Sequence, residues 1–194
     1  MEKVIYPLWK PEGVTAESFS QSLLGSFAED VLQDPGIRGL RLCVVDQQVE
    51  AAAPYRMVNL FEQAFDAVLL VWVDSSTRRE HIEKALASYC AVWHAYLVTE
   101  SEQIPPAGAP VKAGQRIEGM NEIVFLQRPP RLSRDEWLSI WQGSQTDIAI
   151  DTQSTFGYRQ NVVVRALSEG GPVIDAIIEE NFPERAIGSR MAFY

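Results

Sequence analysis

The chain has 194 residues, 46% of them hydrophobic, a mean hydropathy of −0.09 and a formal net charge of −9. That is the composition of a globular protein large enough to bury a core without disulfide or metal staples. An acidic balance with no basic run excludes a phosphate-backbone partner such as nucleic acid, which needs clustered Lys and Arg. No apolar run approaches the ~20 residues of a membrane-spanning helix, and Met1-Glu2-Lys3-Val4 lacks the layout of a signal peptide. No membrane partner is therefore expected, and a cytoplasmic location is the default expectation.

The elements follow from periodicity and punctuation. A strand is expected over Val4–Trp9, closed by Pro11. Thr15 then reads as the N-cap of a helix over Ala16–Gln33, with Val14 and Phe19 at the spacing of a hydrophobic staple. Strands follow over Arg38–Val45 and, after the loop 46–64, over Phe65–Val73. A helix over Thr77–Ser88 and a strand over Ala91–Thr99 complete the first half. Residues 104–118 are Pro-, Gly- and Ala-rich and read as a linker between units at 1–103 and 119–194. The second half repeats the order: a strand over Glu122–Gln127, a helix over Arg134–Asp151, and strands over Phe156–Arg165 and Val173–Glu180.

The two halves are copies of one unit. Displaced by 118 positions, Ile5 meets Ile123, Leu8 meets Leu126 and Pro11 meets Pro129. Gly25-Ser26 meets Gly143-Ser144, Gly39 meets Gly157, Arg41 meets Arg159 and Val44-Val45 meets Val162-Val163. Thr15 meets Ser133, whose helix start carries a full capping box with Glu136 and its own staple, Leu132 to Trp137. Beyond the loop the offset becomes 109, and Asp66-Ala67-Val68 resembles Asp175-Ala176-Ile177. The order β-α-β-β-α-β is the ferredoxin-like unit, with helices on one sheet face only. The expected fold is α+β: two such units whose sheets cover each other in a pseudo-twofold barrel within one chain. The second unit is expected to be incomplete at its C-terminus, since Tyr194 falls at the equivalent of Ala85.

The stretch RPPRLSRDEWLSIW from Arg128 to Trp141, followed by Gly157-Tyr158-Arg159-Gln160-Asn161, resembles the EthD domain family. The resemblance implies a dimeric α+β barrel superfamily, whose members include cofactor-independent cyclases and dehydratases, isomerases and small monooxygenases, and it leaves homo-oligomerisation open. Family members typically carry a His four residues after the helix Trp. Here that position is Gln145, which cannot accept a proton near neutral pH.

Comparison of the copies locates the candidate chemistry. Phe19, Leu23 and Phe27 become Trp137, Trp141 and Gln145 on the helix stripe. Leu40, Leu42 and Cys43 become Tyr158, Gln160 and Asn161. Val4 becomes Glu122, and Leu70-Val71 become Glu179-Glu180. Polar groups on otherwise apolar positions suit a small-molecule pocket. Trp137, Trp141, Gln145, Tyr158 and Asn161 are the candidate ligand-binding residues, with Gln145 expected to be buried. Adjacent strand residues face opposite ways, so Glu179 and Glu180 are not a carboxylate pair. Candidates for a proton acceptor are His94, Glu122 and Glu179.

The remaining residues imply little chemistry. His81 lies in a polar helix and His94 in a strand beside Trp93, and Cys43 and Cys90 read as buried thiols. No metal-ligand spacing, phosphate loop, GxSxG or CxxC occurs, so neither metal nor cofactor is expected. The function expected is binding of a small apolar or aromatic molecule, with cofactor-independent transformation of it as the accompanying chemistry. The alternative is a non-catalytic barrel with a structural or ligand-sequestering role.

Overall fold

The structure is a computed structural model that describes residues 1–57, 60–105 and 111–194. Part of the expected linker and two residues of the expected loop 46–64 lie outside the described residues. The chain forms two compact units. The first comprises Met1–Glu50, Met57–Glu100 and Val162–Val173; the second comprises Ala51–Arg56, Ser101–Asn161 and Ile174–Tyr194. Two short segments, 51–56 and 162–173, are thus grouped with the unit that holds the other half of the chain.

The first unit is built on β1 (Glu2–Trp9), α1 (Ala16–Ser22), α2 (Ala28–Val31), β2 (Ile37–Val44), β3 (Ala67–Val73), α3 (Glu80–Tyr89), the two-residue β4 (Val92–Trp93) and the start of β5 (Tyr96–Ile104). Its strands are antiparallel in the order β2-β3-β1-β5, with β4 also on β1. Register sets Val4 opposite Val71 and Tyr6 opposite Leu69. Because strand side chains alternate, Val4, Tyr6, Leu8, Leu69, Val71 and Val73 share one face. They are buried in a single cluster with Phe19, Leu23, Phe27 and Val31 from the first helical segment and Ile82 and Leu86 from α3. Val14 packs on the same cluster that buries Phe19, as the staple requires.

The second unit contains β6 (Met120–Leu126), α4 (Arg134–Ile140), α5 (Thr146–Thr152), β7 (Gly157–Ala166), β8 (Ala176–Phe182) and α6 (Arg190–Phe193). Its strand order is β7-β8-β6. β6 and β8 are antiparallel, with Glu122 opposite Glu180 and Ile123 opposite Glu179. At offsets of 118 and 109 these are the positions of Val4 with Val71 and of Ile5 with Leu70 in the first unit. Ser133 caps α4 as expected: its hydroxyl accepts from the Glu136 amide at 3.2 Å, and the Glu136 carboxylate accepts from the Ser133 amide at 2.9 Å.

Two expectations need correction. Each long first helix is interrupted by a π-turn, Leu23–Phe27 in one unit and Trp141–Gln145 in the other. Each is centred on a glycine of non-helical backbone, Gly25 (φ −100°, ψ −106°) and Gly143 (φ −90°, ψ −107°). Helical periodicity alone does not show such a break, which needs one unusual backbone step rather than a new residue pattern. The expected strand Ala91–Thr99 is two pieces, β4 and a β5 that continues to Ile104. After β8 the described chain forms a 3₁₀ turn over Glu184–Ala186 and the short α6, with Phe193 stacked on Phe182 at 4.2 Å.

Candidate functional site: a buried carboxylate pair beside two stacked tryptophans

The face of the second unit's strands that meets α4 is the counterpart of the first unit's apolar core, and it is polar. Glu122 and Glu180 are directly opposite on neighbouring strands, which brings their Cβ atoms to about 5 Å. Glu180 is buried and one of its carboxylate oxygens has no hydrogen-bond partner among the described residues. Burial pushes the Glu180 carboxyl up to about 7, and the neighbouring Glu122 charge pushes the same way. Glu122 is also raised by burial. Both carboxyls are therefore easier to protonate than an exposed glutamate.

Tyr158 and Gln160 alternate onto the same face of β7. Tyr158 is buried, and its phenol is raised first by burial, with the Glu180 charge adding to it. The Gln160 amide donates to the Thr146 hydroxyl at 2.6 Å and lies 3.5 Å from the Tyr158 hydroxyl. Its carbonyl oxygen accepts from Gln103 at 3.2 Å. Above them Trp137 and Trp141 stack, with centroids 5.3 Å apart and planes 14° from parallel. The Trp141 indole N–H is buried and aimed at the Tyr158 phenol, whose rise its hydrogen bonding opposes. The constellation thus offers two raised carboxyls, a phenol beside an indole N–H, and a flat aromatic wall.

Of the sequence candidates, the structure brings together Trp137, Trp141 and Tyr158 on this face, and Glu122 joins them. Gln145 is exposed, contrary to the expected burial. The π-turn carries Thr146 inward instead, its hydroxyl donating to the Trp141 carbonyl at 2.8 Å. Asn161 is fully buried but points to the opposite face, where its amide donates to the Glu179 carboxylate at 2.9 Å and the Ile177 carbonyl at 3.1 Å. Glu179 is therefore remote in orientation from Glu180. His94 belongs to the first unit, where its ring packs edge-on against Trp9 at 5.6 Å and burial lowers its basicity. His81 is half-buried rather than solvated, its Nε2 3.0 Å from the Asp30 carbonyl. Cys90 is a buried thiol pushed up to about 12 by burial, which makes it a poor nucleophile.

Sequence reasoning noted both Val4 to Glu122 and Val71 to Glu180 but did not join them. The signal was present: the matching residue pattern carries strand register from one half to the other, and a valine pair facing across two strands becomes a glutamate pair. Among the described residues no group of three or more His, Cys, Asp and Glu side chains is arranged to hold a metal ion, and no helix is long and apolar enough to cross a membrane.

No protein-family model and no curated protein matches the chain. A solved structure described as a "Putative Chlorite dismutase" is similar in fold, with a TM-score of 0.50 and 11% sequence identity over 98% of this chain and 83% of that one. The chain has the α+β fold of the dimeric α+β barrel type. At that identity the likeness speaks to architecture alone.

Proposed function

We propose that the second unit binds a small, flat, largely apolar molecule between Trp137, Trp141 and Tyr158, and presents its polar end to the carboxyl pair Glu122–Glu180. The observation that carries this reading is the pair itself. A fold that places Val4 and Val71 together in one unit places two carboxyls at the same register in the other, at a cost in stability that apolar residues would not incur. Strongly perturbed carboxyls within an aromatic enclosure are the mark of binding and proton-transfer sites. With the Glu180 carboxyl pushed up to about 7, the pair is matched to donate to a carbonyl or hydroxyl of the ligand and to take the proton back. This supports cofactor-independent proton transfer of the kind that the EthD resemblance implies, with Glu180 in place of the missing His. The matched caps, π-turns and register support descent of both units from one duplicated ancestor.

A second reading concerns the first unit alone. There the equivalent space is filled by Tyr6, Phe19, Phe27, Leu69 and Ile82, all buried, which favours a structural role for that copy.

The test is a thermal-shift and tryptophan-fluorescence screen of small phenols, aryl ketones and quinones against the full chain, at pH 6 and pH 8. Binding should appear in the wild type and weaken at least about tenfold in Trp141→Ala and in Glu180→Gln. A screen in which every binder also binds Glu122→Val/Glu180→Val equally well would overturn the proposal.

A further inference from the structure

The opposite face of the same strands holds a second set of buried polar groups. Arg159, Asn161, Glu179 and Asn181 are each no more than 6% exposed. Asn161 and Glu179 are hydrogen-bonded to each other, so they share a face. Arg159 and Asn181 lie two residues along their strands from these and therefore share it too. In the antiparallel register of the matching first-unit pair, Arg159 faces Glu179, with Asn161 and Asn181 two residues, about 7 Å, to either side along the strands, so a small molecule at Arg159 reaches Asn161 on one side and is too far from Asn181 to touch both. Arg159 is tied by one guanidinium nitrogen to Glu102 at 2.7 Å, while its other terminal nitrogen is buried with no partner among the described residues. The side-chain oxygens of Asn161 and Asn181 are likewise buried and unpartnered. One donor and one acceptor, the Arg159 N–H and the Asn161 oxygen, are thus left open side by side, where native interiors leave such groups rarely and with a reason.

The first unit shows that the fold does not demand this patch. Its equivalents are Arg41, Cys43, Leu70 and Trp72. There Trp72 lies beneath Arg41 at 5.6 Å and beneath Lys3 at 4.7 Å. Only the arginine persists; the other three positions have become polar.

We infer that Arg159 and Asn161 form a second ligand site, separate from the Glu122–Glu180 pair, that takes a neutral group able to donate and accept at once, such as a primary carboxamide or a hydroxyl. The ligand's oxygen accepts from the open Arg159 N–H, and its N–H or O–H donates to the Asn161 oxygen. Anions are disfavoured, because Glu102 and Glu179 already set two carboxylates against one guanidinium.

The experiment is side-chain amide and guanidinium NMR of the full chain titrated with benzamide, and with benzoate as its anionic counterpart. The Asn161 and Arg159 signals should shift saturably with benzamide and respond to benzoate at least about tenfold more weakly. Asn161→Leu should abolish the response. Because that change also removes the bond to Glu179 and risks misfolding, Arg159→Lys is the second variant: it keeps the charge for Glu102 but loses the planar fork, and it should abolish the response as well. Glu180→Gln, on the other face, should leave it intact. No shift in the wild type, an equal shift with benzoate, a response unchanged in Arg159→Lys, or a crystal structure with ordered water alone on these atoms after benzamide soaking would each overturn the assignment.

Discussion

Glu180 illustrates how one side chain couples stability to pH. An exposed glutamate titrates near 4.5, and the buried Glu180 near 7. Between those values the folded chain holds a proton that the unfolded chain has released, so stability falls as pH rises through this window and is flat above it. The loss from this group is on the order of 3 kcal/mol. Chemical denaturation at pH 5 and pH 7.5 should show it, and Glu180→Gln should remove most of the difference. A midpoint that instead rises from pH 5 to pH 7.5 in the wild type, and falls in Glu180→Gln, would refute the assignment. Tyr6 is the contrasting case. Its hydroxyl is buried in the first unit with no partner among the described residues, and burial raises its phenol well above the usual value. Losing an unpartnered buried hydroxyl removes a desolvation penalty, so Tyr6→Phe should leave the melting temperature unchanged or higher. At this scale the sequence was legible where residue type alone decides, as in the Trp137–Trp141 stripe. It misled at Gln145, because a single π-turn residue transfers the inward position to Thr146.

Elements depend on a few backbone positions that have no apolar pattern to announce them. The caps were readable: Thr15 and Ser133 each accept from the amide three residues on, at 3.2 Å. Ser133→Ala should cost about 1 kcal/mol, measured by denaturant unfolding, because it removes the α4 cap and half of its reciprocal box. The entry to β6 was not readable. Gly119 sits at φ +87°, and a Cβ there would lie 2.0 Å from the Phe182 carbonyl oxygen. Neither the left-handed backbone nor the contact with a backbone atom can relax cheaply. Gly119→Ala should therefore destabilise the second unit by more than about 2 kcal/mol, seen as loss of the cooperative near-ultraviolet transition at lower denaturant. Wild-type unfolding of this variant would mean that β6 starts elsewhere.

For the molecule as a whole, the matching residue pattern of the two halves was the most informative feature of the sequence, because it lets one unit serve as a reference for the other. It pointed to the β-α-β-β order along each half and, with the register of the first unit in hand, to the positions of Glu122 and Glu180. It did not give the grouping of 51–56 and 162–173, which depends on tertiary contacts rather than local pattern. The same reference makes a direct experiment possible. Glu122→Val/Glu180→Val restores in the second unit the valine pair that the first unit buries at 0% exposure. Replacing two buried carboxyls by apolar groups of the kind the fold already accommodates removes their desolvation and mutual repulsion. Valine is smaller than glutamate, so part of that gain is offset by the volume left behind. The repulsion is largest above pH 7, where both groups are charged, so the gain should be greatest there and nearly absent at pH 5. The double variant is expected to melt higher than the wild type at pH 8, to show little pH dependence between 5 and 8, and to lose the ligands that bind beside Trp141. Stability gained together with binding lost is the signature of residues kept for function against the preference of the fold. A double variant that is less stable than the wild type at pH 8 would mean that the carboxyl pair is bonded and structural, and the reading of this face as a site would fall with it.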